Sequence, residues 1–183
     1  NSEKRFMPYL EKGWDLYKPV ATYNESMVDN NPYEGKLYKS ETPTMPYNLK
    51  DMYDKNGAGV IRSTPFGNDL LAEFAKEAIT KEELGKDSIT DFLALSFSST
   101  DYVGHLLGPR SMELQDTYLR LDQTIADFLT FLDKTVGKDN YLLFLTADHA
   151  GAENVGYLKD SKYAVDYISP KDIRKSLADF STK

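Results

Sequence analysis

The sequence predicts an α/β fold in which short parallel β-strands are covered by helices. Two observations carry that reading. Residues 90–97 (TDFLALSF) and 140–146 (NYLLFLT) are continuous apolar runs, of a length that suits buried strands. Between them Leu114, Tyr118, Leu121, Ile125, Phe128, Leu129 and Leu132 recur at three- and four-residue steps, the signature of a long amphipathic helix. An apolar strand, a long helix and a second apolar strand make the unit of a parallel sheet with covered faces and a right-handed crossover.

The elements follow in order. Helical spacing is visible around Phe6, Tyr9, Leu10, Trp14 and Tyr17, after which no period is sustained up to residue 60. That stretch holds Pro8, Pro19, Pro32, Pro43 and Pro46, and its Asn30-Asn31-Pro32 and Thr42-Pro43 steps read as turns. Val60–Ser63 is expected as a short strand. Asn68 or Asp69 then caps a helix whose apolar face is Leu70, Leu71, Phe74, Ala75, Ala78 and Ile79. Ser111 is a good N-cap for the long helix, and Gly137 stands where a left-handed residue would end it. Ser169, with Pro170 at the first helical position, starts a last helix through Ile173, Leu177 and Phe180. Two regions are expected: 1–60 as an irregular cap or insertion segment, and 61–183 as a partial α/β core.

Composition narrows the function classes. The 183 residues carry 22 Lys and Arg against 29 Asp and Glu, a net charge of −7. That balance argues against an electrostatic grip on nucleic acid or on an anionic membrane. A hydrophobic content of 40% supports a folded core rather than disorder. Cysteine is absent, which removes disulfides, thiolate metal sites and thiol nucleophiles. No apolar run approaches the ~20 residues that span a bilayer. The chain opens on Asn1 without an apolar leader, and a segment of a longer protein is expected.

The chemistry concentrates at two places. The chain has two histidines, His105 and His149, each just beyond one of the two strand candidates and each close to an aspartate, in Asp101-Tyr102-Val103-Gly104-His105 and Asp148-His149. Ligands of open parallel sheets gather outside the carboxyl ends of the strands. Imidazole nitrogen and carboxylate oxygen are the usual non-thiolate ligands of zinc. Asp101, His105, Asp148 and His149 are therefore the candidate metal ligands, with Gly104 expected to let a loop turn back toward the ion. Ligand histidines must be neutral, so occupancy should weaken as pH falls through the imidazole range. Arg110 and Glu153 read as solvated loop residues. Ser63 and Thr64 read as cap hydroxyls, and neither is assigned as a nucleophile.

The run Ser99 to Pro109 (STDYVGHLLGP), followed by Thr146-Ala147-Asp148-His149, resembles the alkaline phosphatase superfamily, most closely the PafA-type bacterial alkaline phosphatases and next their nucleotide pyrophosphatase/phosphodiesterase relatives. The likeness runs from about Ser63 to Lys159. One departure is Ala150, where the family usually has Gly directly after the Asp-His pair. The resemblance implies a partial alkaline-phosphatase-like core and two zinc ions, one held by Asp101 and His105 and the other by Asp148 and His149. It also implies an exported, periplasmic enzyme, whose signal would lie upstream of Asn1, acting on a small phosphate ester through a covalent phospho-enzyme. The family's nucleophile, its early aspartate and its late histidine have no matching motif here, so no catalytic residue is assigned. Two ligands per ion fall short of the three that a catalytic zinc normally takes. The isolated chain is accordingly expected to bind metal weakly and to turn over no phosphate ester. The alternatives are a nucleotide pyrophosphatase/phosphodiesterase, or a non-catalytic interaction module whose Asp/His pairs are ordinary loop residues.

Overall fold

The computed structural model describes residues 3–181, which divide into two compact units, 3–151 and 152–181. The first holds α1 (Glu3–Lys12), α2 (Leu49–Asn56), α3 (Phe66–Lys81), α4 (Ser99–Leu107) and α5 (Met112–Leu132). The second holds α6 (Val155–Asp160) and α7 (Pro170–Ser181). In it, the Asn154 side chain caps α6 by accepting from the amides of Gly156 and Tyr157. Ile173, Leu177 and Phe180 of α7 are exposed.

The expectation of a parallel sheet is corrected. Among the described residues no strand forms, and the only β-pairing is an isolated antiparallel bridge between Trp14 and Tyr47. Both apolar runs lack ladder partners, and Phe92, Leu142, Phe144 and Leu145 are exposed. The physical reason is that an apolar run becomes a strand only when a neighbouring strand takes its amides and carbonyls. Here the runs pack against helices through single residues, Leu95 and Tyr141, which reach the cluster of Ala75 and Ile79 from α3 with Phe128 and Leu132 from α5. Residues 60–63 are also helical, lying in a 3-10 segment from Ala58 to Ser63. Helix α3 begins at Phe66, earlier than a cap at Asn68 or Asp69 would place it. Buried Asn68 instead donates from Nδ2 to Thr100 Oγ1 at 3.1 Å.

Helices α5 and α7 form where the apolar steps put them, α1 ends at Lys12 before Trp14 and Tyr17, and α2, α4 and α6 form where no helix is expected. Ser111 Oγ accepts from the Leu114 amide and caps α5, and Gly137 ends the following π-turn at φ 106°. The main core unites Leu10 and Trp14 with Leu37, Tyr47, Leu49 and Val60, and with Phe66 of α3 and Val103 and Leu107 of α4. Residues from before position 60 thus supply much of the apolar interior of the first unit.

A buried carboxylate ties that N-terminal stretch to α5. Asp116 is fully buried and accepts from Trp14 Nε1 (2.8 Å), the Tyr17 amide (2.7 Å), Tyr23 Oη (2.5 Å) and Arg120 Nε (2.6 Å). Arg120 also donates to the Asp15 carbonyl and lies over the rings of Tyr17 and Phe66. Gly35 provides a second tie. Its amide donates to the Leu107 carbonyl, and a Cβ there would collide with the Leu106 carbonyl.

Three further carboxylates meet where residues 29–34 face the first turn of α5. One oxygen each of Asp29, Glu34 and Glu113 lie within 4.8 Å of one another, and Glu113 is fully buried. Tyr47 Oη donates to Glu113 Oε1 at 2.6 Å, while the Asn31 amide and Nδ2 donate to Glu34 Oε2. Burial, and then the Glu113 carboxylate, push the Glu34 carboxyl up to about 9. The same two causes raise Asp29.

Three outcomes are expected. Asp116→Ala takes the carboxylate from a largely shielded guanidinium and leaves the Trp14 indole N–H without its acceptor, so chemical denaturation should show a loss of about 2–4 kcal/mol. Gly35→Ala should lose about 1–3 kcal/mol by overpacking against backbone, read the same way. In metal-free buffer the folded state keeps a Glu34 proton that the unfolded chain releases above about 4.5, with Asp29, Glu113 and Tyr47 the groups facing it. Stability should therefore fall as pH rises from about 4.5 toward 9, and thermal melts of Glu34→Gln should lack that decline.

Candidate functional site

Three of the four sequence-derived ligand candidates converge. Asp101 and His105 lie on helix α4, not on the loop expected for them. Val103 and Leu107, both fully buried, fix the inner face of that helix, and Asp101 and His105 share an exposed face at the i,i+4 spacing. Asp101 falls in the first turn and His105 in the last, which suits the helix dipole for a carboxylate and an imidazole. Gly104 therefore makes no sharp turn, and a Cβ there would make ordinary contact with Leu114. The turn comes at Gly108, at φ 103°, whose amide closes the helix on the Gly104 carbonyl.

Asp101 is the meeting point. Its Oδ1 is 3.3 Å from His105 Nε2 and 3.7 Å from His149 Nε2. Asp148 reaches the group only through His149, with Oδ2 at 3.7 Å from Nε2, and its side chain is 92% exposed. Asp101, at 47% exposed, is better shielded. Among the described residues, no three of these groups offer ligand atoms that all lie within 4.8 Å of one another, so they line up about Asp101 rather than surround one point.

The extended segment around residue 148 is held near Gly108-Pro109, where a Cβ on Gly151 would stand 3.9 Å from Pro109 Cβ. His149 Nδ1 lies 3.2 Å from the Ala150 carbonyl oxygen. A carbonyl only accepts, so Nδ1 is the donor and the Nε2 lone pair is left facing Asp101. That contact, then Asp148 and Asp101, raises the His149 pKa above the ordinary imidazole value. Ala150 is itself exposed, so its methyl takes up no buried space. Imidazole nitrogens beside carboxylate oxygens are a donor set that zinc accepts, and these residues fit such an ion in part, short of a closed set.

Ser63 is buried and 3.3 Å from Tyr38 Oη, and Thr64 Oγ1 donates to the Ile61 carbonyl. Neither hydroxyl is joined to the Asp101 group by a hydrogen bond. The acidic meeting of Asp29, Glu34 and Glu113 was not visible in the sequence, because its members belong to no local motif. The helical setting of Asp101 and His105 had a readable signal in their i,i+4 spacing and in the Val103/Leu107 pair at the same step.

Comparisons with known proteins place the chain in a family. Residues 6–177 match the family model described as type I phosphodiesterase / nucleotide pyrophosphatase. A protein of Myroides odoratus named calcium-transporting ATPase is 48% identical over 97% of this chain and 33% of its own length. Alkaline phosphatase PhoV of Synechococcus elongatus is 48% identical over 87% of this chain and 29% of its own. The crystal structure of wild-type alkaline phosphatase PafA superposes with a TM-score of 0.83 at 47% identity, over 90% of this chain and 31% of that one. The chain thus spans about a third of the length of these relatives. By that match and these relatives, it belongs to the type I phosphodiesterase / nucleotide pyrophosphatase family, within the alkaline phosphatase superfamily.

Proposed function

We propose that this chain contributes part of a two-zinc phosphohydrolase site, with Asp101 and His105 serving one ion and Asp148 and His149 the other, in an exported enzyme that hydrolyses phosphate monoesters. The observation that carries the reading is the position of Asp101 Oδ1 between the Nε2 atoms of His105 and His149. A carboxylate so placed borders two sites, which suits a pair of ions better than a single one. When bound, zinc supplies Lewis acidity to phosphate oxygens and a nucleophile at neutral pH.

The chain's own residues have the supporting tasks. Helix α4 holds the Asp101 carboxylate and the His105 ring at fixed spacing. The Ala150 carbonyl orients the His149 ring and keeps its Nε2 lone pair available. No residue here is assigned as nucleophile, and two ligands per ion leave each site short of a catalytic set. The relatives named alkaline phosphatase support monoester chemistry, and the family description leaves diester chemistry as the second reading. A comparison of monoester and diester turnover by the longer protein separates the two.

Zinc titration of the purified chain, beside the double variant His105→Ala/His149→Ala, tests the assignment. The double variant should lose zinc affinity by at least about 10–100-fold. Equal zinc uptake by both proteins would overturn it. Asp101→Asn should weaken zinc more than Asp148→Asn, because Asp101 approaches both histidines and Asp148 only one. An aryl phosphate incubated with the isolated zinc-loaded chain should show no hydrolysis above the buffer rate, and steady turnover would refute the absence of a nucleophile.

A further inference from the structure

The meeting of Asp29, Glu34 and Glu113 differs from every other buried charge in the first unit. Asp116, equally buried, has four donors including the Arg120 guanidinium. Arg5, Lys50, Lys55, Arg120 and Lys159 pair with other carboxylates. Apart from the proton that Glu34 shares with Glu113, the three carboxylates each keep one buried oxygen without a donor: Asp29 Oδ1, Glu34 Oε1 and Glu113 Oε2. Glu113 Oε2 weighs most, because its residue is wholly shielded from solvent while the companion oxygen already accepts from Tyr47. A buried carboxylate oxygen without a donor is costly to maintain, and three carboxylates that bring one oxygen each to a common point invite a cation.

We infer that Asp29, Glu34 and Glu113 form a binding site for a hard divalent cation of the calcium class, separate from the Asp101 cluster. The donors are all oxygens, which favours calcium or magnesium over zinc or copper. Ligand atoms within 4.8 Å of one another can all touch one ion at calcium–oxygen distances of about 2.3–2.6 Å. Asp29 and Glu34 are only partly buried, so water can complete the coordination. Three carboxylates against a divalent ion leave a small net charge, and the ion takes the place of the proton held on Glu34. The ion would join residues 29–34 to the first turn of α5, beside the point where the Met27 amide already meets the Arg110 carbonyl.

The test is thermal unfolding of the chelator-stripped chain with calcium chloride added up to about 10 mM, above the weakest usual class of protein calcium sites. The midpoint should rise on the order of 5–10 °C once calcium exceeds its dissociation constant about a hundredfold. His105→Ala/His149→Ala should keep that rise, and Glu34→Gln should lose it while keeping the near-ultraviolet spectrum of the parent chain. Asp29→Asn is the second variant, with the same loss expected, if Glu34→Gln does not fold. No rise in the parent chain would overturn the site and leave the carboxylates held by a shared proton. A rise that survives in Glu34→Gln, or disappears in the histidine variant, would also overturn it by placing the calcium elsewhere. A larger rise with magnesium chloride than with calcium chloride would overturn the assignment to the calcium class.

Discussion

The first unit depends on the Asp116 carboxylate. Desolvating a charge is expensive, and this one is tolerated because donors from four residues converge on its two oxygens. Three of the donors come from the first 23 residues, so the same interaction that stabilises the charge folds the N-terminal stretch back onto α5. Trp14, held by Asp116, then pairs through its backbone with Tyr47, and Tyr47 reaches Glu113 one turn earlier on α5. A chain of polar contacts thus begins and ends on one helix and passes through segments that carry no regular structure of their own. The start of α5 follows directly on the turn that closes α4, so this chain also fixes where Asp101 and His105 stand.

The two halves of the metal-competent cluster are built differently. Asp101 and His105 are set by a helix whose opposite face is sealed in the core, and their spacing is as rigid as the helix. Asp148 and His149 stand on an extended, exposed segment with few contacts, and the Ala150 carbonyl does most of the orienting. Precision on one side and latitude on the other suit a site in which the second half is completed by further elements of a longer protein.

How much of this the sequence disclosed follows from how local each cause is. Helix α5 was legible because its cap, its stripe and its terminal glycine lie within one stretch, and α7 was legible for the same reason at Ser169-Pro170. The apolar runs at 90–97 and 140–146 were legible as extended segments, but pairing is a property of two segments, and no partner is present among the described residues to make a sheet. Helix α4 reads as a loop in the sequence because Gly104, Gly108 and Pro109 weigh toward turns, although Val103 and Leu107 mark a buried helical face. The ligand candidates were found through their rarity, since the chain has only two histidines. The Asp29, Glu34 and Glu113 group was illegible because nothing near any one of them announces the other two.

The contact at Gly35 couples two segments that lie far apart in the sequence. The space beyond its Cα is filled by main chain at Leu106, which no rotamer change can vacate. A side chain at position 35 is compatible only with a displaced turn after α4, so the two positions are bound to change together or not at all. Residue 35 thus sets a limit on where the histidine-bearing helix can end, from a segment about seventy residues earlier in the chain.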